Sequence, residues 1–220
     1  MVRVYCVLLG YVFGMIQTSY FLGKAKGIDI RTKGSGNAGT TNTLRVLGPK
    51  AGLFVLACDI LKTMIACFIT KQVFVPQYPE MSYLLVMYTA AGAILGHNFP
   101  FYLKFKGGKG IAATAGLILS LPLSFIIVGN IAFFGTWLTT KFVSLGSLLV
   151  YVCFFIQLVI EGQLGMIQYK GVAMPTNYLY EMYVVCFCLA ALAFFMHRKN
   201  IVRLLKGEER KTYLLHKNQQ

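Results

Sequence analysis

The 220-residue sequence is poor in acidic residues and poor in charge of either sign. Seven Asp and Glu stand against 21 Lys and Arg, the formal net charge is +14, and only 13% of residues are charged. Soluble domains average about 25% charged and about 45–50% apolar residues, whereas this chain is 57% hydrophobic. The composition argues against a single water-soluble domain and indicates a membrane protein.

Patterns that would mark a disulfide framework or a metal site are also missing. No two cysteines form a C-x-x-C pair, and almost all of them stand within apolar segments. The six are Cys6, Cys58, Cys67, Cys153, Cys186 and Cys188. We therefore expect buried thiols and no metal or cofactor site. No internal repeat or low-complexity tract is found.

Apolar runs near the ~20 residues that cross a bilayer recur along the chain. We predict seven spans, at 4–22, 51–75, 83–95, 111–122, 124–140, 145–160 and 178–196. The first lacks a clear signal-peptide cleavage site and is taken as a membrane helix. Pro122 prevents a straight helix through 111–140, so this region is either one kinked helix or a short helix pair. The fold class is an all-α integral membrane bundle of about seven transmembrane helices.

The distribution of basic residues along the chain favours seven spans over six. With seven spans and the N-terminus outside, the segments 23–50, 98–110, 141–144 and 197–220 lie on one side of the membrane. They contain every basic residue except Arg3, Lys62, Lys71 and Lys170. Because basic loops stay in the cytoplasm, these segments and the C-terminus are expected there. The same distribution explains the positive charge through membrane orientation, without a nucleic-acid partner.

A glycine-rich polar segment follows the first span. Its small or hydrogen-bonding residues are Gly34, Ser35, Gly36, Asn37, Gly39, Thr41 and Asn42. Glycine permits a positive φ and close approach to a ligand, and successive free N–H groups form an anion site, particularly where a helix begins. Arg45 adds a guanidinium that can bind phosphate through two hydrogen bonds. The alternative is a flexible loop with a helix N-cap at Thr40 or Thr41.

A second polar segment, 96–110, combines lysines with glycines. The residues are Lys104, Lys106, Gly107, Gly108, Lys109 and Gly110. It is not a nucleotide P-loop, because Leu103 and Gly110 stand where the Walker pattern needs glycine and Ser or Thr. Three lysines around a glycine turn at the start of a helix predict a phosphate site. A loop that merely retains positive charge inside the cell would explain the lysines but not the glycines.

The third polar segment follows the last span. His197 opens it, and Asn200, Arg203 and Lys206 recur at helical spacing, so a helix can present them on one face. A basic clamp on anionic lipid is the alternative. Ser144, with Lys141, stands at the cytoplasmic end of the fifth predicted span and is expected beside the same site.

Two oppositely charged residues stand close together inside the second predicted span. Asp59 and Lys62 are three residues apart, on one side of a helix. Charges within a membrane are costly and are usually paired or functional, and we interpret these two as a structural pair. Glycine and serine residues within the apolar helices are interpreted as packing contacts.

The pattern as a whole involves 27–31, 34–37, Gly39, 41–42, Arg45, Gly48, Gly52, Asp59, Lys62, 96–97, Pro100, 105–110, 143–145, His197, 200–201, 203–204, Gly207 and Glu209. In these residues and their order the chain resembles the bacterial acyl-phosphate:glycerol-3-phosphate acyltransferases, the PlsY family. The resemblance implies transfer of a fatty acyl group from acyl phosphate to the 1-hydroxyl of glycerol 3-phosphate, giving lysophosphatidic acid and phosphate. It also implies seven helices in the bacterial plasma membrane, a cytoplasmic active site, and an upstream enzyme that makes acyl phosphate as a partner.

The roles that this resemblance implies form a hypothesis about the reaction. The loop with Ser35 and Asn37 and the turn 106–110 would hold the acyl phosphate. Glycerol 3-phosphate would be held by five further residues, Arg45, Lys104, Ser144, His197 and Asn200. Phosphate is a good leaving group, so the reaction needs positioning and charge stabilisation without a covalent nucleophile. His97, His197 or a substrate phosphate is the proton acceptor.

Two other classes of function compete with this hypothesis. A small anion transporter would show inverted repeats and ionisable groups at mid-membrane, whereas here the polar residues gather at one surface. A non-enzymatic scaffold on anionic lipid would tolerate alanine at Gly36, Gly107 or Gly108, which a pocket lined by backbone amides would not.

Cysteine labelling tests the predicted topology. In a background without the native cysteines, single cysteines near residues 36, 108 and 200 should all react with an impermeant thiol reagent from the cytoplasmic side. A cysteine within 161–177 should react from the outside only and serves as the control. Reaction of the first three from opposite sides of the membrane would refute a shared site.

Overall fold

A computed structural model describes residues 1–213 of the chain, and the tail prediction that includes Lys217 lies partly outside this range. The helices are α1 (Val2–Gly14), α2 (Thr18–Ala25), α3 (Thr40–Leu47), α4 (Pro49–Val73), α5 (Ser82–Asn98), α6 (Ile111–Ile118), α7 (Leu123–Asn130), α8 (Thr136–Thr140), α9 (Val143–Gln163), α10 (Thr176–Met196) and α11 (Arg198–Leu205). Two strands, β1 (Gln168–Tyr169) and β2 (Val172–Ala173), form an antiparallel hairpin. The predicted all-α membrane architecture is confirmed, with this hairpin as the addition.

Within residues 1–213, six helical segments are long and apolar enough to cross a membrane. They are Val2–Ala25, Pro49–Gln77, Pro79–Leu103, Leu123–Thr140, Val143–Gln163 and Thr176–Met196. Each coincides with one of the predicted spans. The first is broken between α1 and α2, where the buried side chain of Gln17 donates a hydrogen bond to the carbonyl of His97. The fourth contains a π-helical turn at Ile131–Gly135 that joins α7 to α8.

The remaining predicted span, the fourth along the chain at 111–122, differs from the other six. Its helix, α6, has eight residues and rises about 12 Å, against a hydrocarbon core of about 30 Å. It ends before Pro122, and α7 begins directly after that proline. The region therefore contains the short helix pair and not one kinked helix, but α6 is too short to cross a bilayer by itself.

Helix α6 instead runs from the middle of the bundle, beside Lys62, to one end of it, beside Lys71. The turn before it packs on His97, whose Nδ1 lies 3.0 Å from Nζ of Lys62. The carbonyl of Ser120, just beyond α6, accepts a hydrogen bond from Lys71. Lys62 and Lys71 lie roughly 14 Å apart along α4 at 1.5 Å per residue, which matches the length of α6. The helix is short because the polar turn that precedes it lies deep between the other helices.

Four glycines bring α1 and α5 into direct backbone contact. Gly10 and Gly14 of α1 lie against the backbone of Thr89 and Ala93 in α5, and Gly92 and Gly96 of α5 lie against that of Val7 and Tyr11 in α1. A Cβ atom at Gly10 would lie 1.8 Å from the carbonyl oxygen of Thr89, and one at Gly92 would lie 2.1 Å from a carbonyl oxygen of α1. Small residues at matched positions let membrane helices approach closely, and the interpretation of these glycines as packing contacts is confirmed.

The end of the bundle away from the glycine-rich segments has its own polar contacts. Arg3 pairs with Glu181, and the Tyr88 hydroxyl donates to the same carboxylate. These side-chain contacts join α1, α5 and α10.

The predicted loop 161–177 begins within α9 and contains the β1–β2 hairpin.

All six cysteines are free thiols, but they are less uniformly buried than expected. Cys6, Cys67 and Cys186 are buried, whereas Cys58 and Cys153 are partly exposed. Cys188 is exposed, on a helix of membrane-spanning length. The expectation of buried thiols is therefore wrong for Cys188. Cys186 and Cys188 stand two residues apart on α10, so they lie on different faces of the helix, and only the face of Cys186 packs against the bundle.

Alanine at Gly10 should destabilise the bundle, because the added methyl group would meet backbone rather than a movable side chain. We expect Gly10→Ala to reduce the free energy of unfolding by about 1–3 kcal/mol, measured as a lower melting temperature of the detergent-solubilised protein. Gly135→Ala is the matched control, because nothing lies within 4 Å of a Cβ atom there. Equal melting temperatures for the two variants would contradict the close packing of α1 on α5.

Candidate active site

The first glycine-rich segment is held in shape by one buried side chain. Asn42, 1% exposed, accepts a hydrogen bond from the Ser35 N–H at 2.7 Å and donates to the carbonyls of Ile30 and Lys33. Gly34 has φ +59°, and a Cβ atom there would lie 2.3 Å from Asn42 Oδ1. Both donor hydrogens of Asn42 are thus used within the loop. Its side chain is therefore occupied in supporting the loop that presents Ser35, so a direct phosphate contact of Asn42 would use its backbone N–H.

The second glycine-rich segment is seated on the end of α5. The N–H groups of Gly107 and Gly108 donate to the carbonyls of Asn98 and His97, at 3.0 Å each. A Cβ atom at Gly108 would lie 2.0 Å from Nε2 of His97 and 2.9 Å from the carbonyl oxygen of Ala38. Glycine is required here for close packing, and the turn touches the first segment through Ala38.

The expectation of free amides at these glycines is therefore corrected. The N–H groups of Gly107 and Gly108 are engaged by α5, and those of Gly36 and Gly39 bond within their own loop. Within residues 1–213, no protein acceptor is found for the backbone N–H groups that begin two nearby helices, Thr40 to Asn42 in α3 and Ile111 to Ala113 in α6. Unpaired N–H groups at a helix N-terminus attract anions.

The third segment meets the second through a direct contact. Nζ of Lys109 donates to Oδ1 of Asn200 on α11, whose side chain is buried. The amide group of Asn200 in turn donates to Glu209 at 2.7 Å. Ser144, at the start of α9, donates to the same carboxylate oxygen at 3.1 Å, and Arg203 pairs with the other oxygen at 2.8 Å. All three predicted polar segments and Ser144 therefore converge at one end of the bundle.

Arg45 lies in α3 and contacts the C-terminal tail. Its Nη2 donates to Oγ1 of Thr212 at 2.7 Å and to the carbonyl of Arg210 at 3.4 Å. Burial lowers the pKa of Arg45, and the positive charge of Arg210 lowers it further. An arginine remains protonated despite such a shift, so Arg45 adds a fixed positive charge to the cluster.

The pKa values of two further groups show how much positive charge is concentrated here. Burial lowers the pKa of Lys109 to about 8; Glu209 opposes the shift, and Arg203 and Arg45 add to it. Burial, with the charge of Lys109, lowers the pKa of His197 to about 4. His197 is therefore neutral near pH 7. The one negative charge of Glu209 stands against the three positive charges of Arg45, Lys109 and Arg203. A bound anion would therefore reduce the repulsion among these three cations.

The two candidate histidines differ in what they can reach. Nδ1 of His197 lies 2.8 Å from the carbonyl of Ala193, so Nδ1 carries the hydrogen and Nε2 is left as an acceptor. His97 is 3% exposed and accepts from Lys62 through Nδ1, while its Nε2 lies against Gly108. The ring of His97 is thus enclosed beneath the glycine turn. The Asp59–Lys62 pair beside it is confirmed as structural, at 2.7 Å, and Lys62 also bonds the carbonyl of Ile16.

Several predicted site residues lie at the surface near this cluster. Ser35, Lys104 and Lys106 are exposed. Lys104 has φ +54°, a backbone conformation that non-glycine residues adopt infrequently. The side chain of Lys141 donates to Leu138 within its own helix, so only its backbone carbonyl takes part in the cluster.

Three residues were not singled out as site residues from the sequence. Glu209 was noticed only as part of the family resemblance, and nothing in the spacing of Thr212 indicated a contact with Arg45. Asn98 is fully buried against Gly110, and its carboxamide has no hydrogen-bond partner within residues 1–213. Its position between His97 and the glycine turn was the available signal, since a buried unpaired amide is rare.

Comparisons with known proteins identify the family of the chain. The family model for Glycerol-3-phosphate acyltransferase matches residues 4–207. A glycerol-3-phosphate acyltransferase of Halalkalibacterium halodurans is 42% identical over 207 residues, which is 93% of either chain. One of Thermotoga petrophila is 39% identical over 208 residues, 94% of this chain and 95% of the relative.

Two solved structures have the same fold. Both are crystal structures of PlsY (YgiH), an integral membrane glycerol 3-phosphate acyltransferase, in its glycerol 3-phosphate and lysophosphatidic acid forms. Their TM-scores are 0.80 and 0.77, each at 31% identity over 97% of this chain and 96% of the other. With a family model that covers almost its whole length and relatives of this similarity, the chain belongs to the glycerol-3-phosphate acyltransferase family.

Proposed function

We propose that this integral membrane protein transfers a fatty acyl group from acyl phosphate to the 1-hydroxyl of glycerol 3-phosphate, giving lysophosphatidic acid and phosphate. The reaction would take place at the cytoplasmic face of the bacterial plasma membrane, in the segments 23–50, 98–110, 141–144 and 197–220. The observation that carries the proposal is the contact between the turns that lead into α3 and α6, through Ala38 and Gly108, together with the cations Arg45 and Lys109. Two phosphate groups need such a concentration of positive charge and free N–H groups.

The acyl phosphate is assigned to the junction of the first two segments. Gly108 packs on the carbonyl of Ala38, so the turns that lead into α3 and α6 are in contact. Their unpaired N–H groups, with Ser35, Asn37 and Lys106, would hold the phosphate of the donor. The developing negative charge on that leaving phosphate is stabilised by the same groups, which are in place before the reaction begins.

Glycerol 3-phosphate is assigned to the cluster around Glu209. Arg45, Lys104 and Lys109 would bind its phosphate, and Ser144 and Asn200 would donate hydrogen bonds. These two donors already bind a carboxylate oxygen of Glu209, so they are oriented for an anionic oxygen. The neutral Nε2 of His197 would accept a hydrogen bond from the 1-hydroxyl and aim it at the acyl carbonyl.

The reaction balances without a covalent enzyme intermediate. The hydroxyl oxygen forms the ester bond to the acyl carbon, the bond from that carbon to the phosphate oxygen breaks, and the hydroxyl proton ends on the released phosphate. The enclosure of His97 argues against it as the proton acceptor. With a pKa of about 4, His197 is a weak base, so phosphate is the final proton acceptor and His197 orients the hydroxyl.

Removal of either predicted cation should slow acyl transfer without unfolding the protein. We expect Arg45→Ala and Lys104→Ala each to reduce kcat/KM for glycerol 3-phosphate by about 10²–10³-fold, as loss of one preorganised charge-stabilising group does. Phosphate release from acyl phosphate by the purified protein is the measurement. Lys26→Ala, which removes an exposed lysine of the same basic segment, should leave the rate unchanged. Near-normal kinetics in both test variants would refute the assignment.

The lowered pKa of Lys109 predicts a decline in activity at alkaline pH. Below about pH 8 its ammonium group is charged; above that pH it loses its proton and its attraction for phosphate, whereas an ordinary lysine remains charged to about pH 10. We expect kcat/KM for glycerol 3-phosphate to fall above pH 8 in the wild type. Lys109→Arg should remove this decline, because arginine keeps its charge. Identical pH profiles for the two proteins would exclude Lys109 as the titrating group.

A further inference from the structure

The chain that follows α11 crosses the cation cluster and is fixed at one residue. Gly207, with φ +71°, ends the helix, and Thr212 lies five residues later with 2% of its surface exposed. The Thr212 N–H donates to the carbonyl of Lys141 at 2.9 Å, and the indole N–H of Trp137 donates to the carbonyl of Thr212 at 3.0 Å. The backbone of Thr212 is thus fastened to the junction of α8 and α9.

The side chain of the same residue faces the predicted substrate site. Its Oγ1 accepts the 2.7 Å hydrogen bond from Nη2 of Arg45. A guanidinium group has five N–H donors in a rigid plane, and the bonds to the tail involve Nη2 alone. Within residues 1–213, no hydrogen bond engages Nε or Nη1, and the plane of the group is set by its contact with Thr212.

We propose that Thr212 is a positioning residue, which orients the Arg45 guanidinium for the phosphate of glycerol 3-phosphate. This inference rests on the function proposed above and extends it to a segment beyond the family match, which ends at residue 207. Arg45 needs such support because Arg203, Lys109 and Arg210 act on it with the same sign of charge. Without a fixed acceptor, repulsion would turn the guanidinium away from the cluster.

The contact between Thr212 and Arg45 has two possible effects on substrate binding, and they are opposite in sign. If the tail occupied Arg45 in competition with substrate, removal of the Thr212 hydroxyl would tighten substrate binding. If Thr212 orients Arg45, the same change weakens binding, because the guanidinium loses its orientation and a partly buried donor loses its acceptor.

Three variants separate these outcomes. Thr212→Val removes the hydroxyl at nearly constant volume, Thr212→Ser keeps it, and Thr139→Val is a matched control whose hydroxyl bonds only its own helix. We expect Thr212→Val to raise the KM for glycerol 3-phosphate about tenfold, with the KM for acyl phosphate unchanged. Thr212→Ser and Thr139→Val should resemble the wild type. A general structural defect would instead affect both substrates and lower the melting temperature.

Binding of glycerol 3-phosphate by calorimetry, without acyl phosphate, distinguishes the two proposals. A wild type that binds this substrate but releases no phosphate from acyl phosphate would refute the proposed reaction. The Kd of Thr212→Val for glycerol 3-phosphate, compared with that of the wild type, would still test the positioning role of Thr212. Unchanged or tighter binding by Thr212→Val would overturn the positioning role, and so would a wild type that binds no glycerol 3-phosphate. If Thr212→Val fails to fold, Trp137→Phe removes only the indole donor to the Thr212 carbonyl and should weaken binding in the same direction.

Discussion

The close seating of the glycine turn on α5 is the contact on which the rest of the site depends. Gly107 and Gly108 have no side chain to hold them away from the carbonyls of Asn98 and His97, so the turn sinks between the helices. This depth allows α6 to be short, brings its N-terminus beside that of α3, and places Lys109 within reach of Asn200. A larger residue at Gly108 would push the turn away from both Ala38 and His97.

Electrostatics explains why so much positive charge can be held together at one end of a membrane protein. Arg203 pairs with Glu209, and the same carboxylate acts on Arg45 and Lys109 through its charge, while burial opposes the charged form of Arg45 and Lys109. Such a cluster is costly without an anion, because desolvation and like-charge repulsion act in the same direction. The fold keeps the charges in place through α3, α6 and α11, so that the free energy of their repulsion favours binding of an anion, which we propose to be phosphate.

The two ends of the bundle have different tasks. Away from the site, Arg3, Glu181 and Tyr88 join three helices in a satisfied network. Close glycine contacts between α1 and α5 make the middle of the bundle rigid. Catalysis by positioning needs this rigidity, because the reacting groups gain only if they are held in place before the substrates arrive.

The sequence by itself determined the membrane class, the polar segments and the family resemblance, because apolar length, charge distribution and glycine-lysine motifs are local properties of the chain. Six spans, the pairing of Asp59 with Lys62 and the packing role of the helical glycines followed from spacing alone. Only the tertiary structure decided which amides remain free, that His97 is enclosed while Nε2 of His197 remains available, and that Asn42 supports its loop. It also decided that Glu209 and Thr212 join the cluster. Each of these depends on which groups from distant parts of the chain come into contact. A hydrogen bond such as that between Arg45 and Thr212 joins residues far apart in the chain and produces no periodic pattern in the sequence.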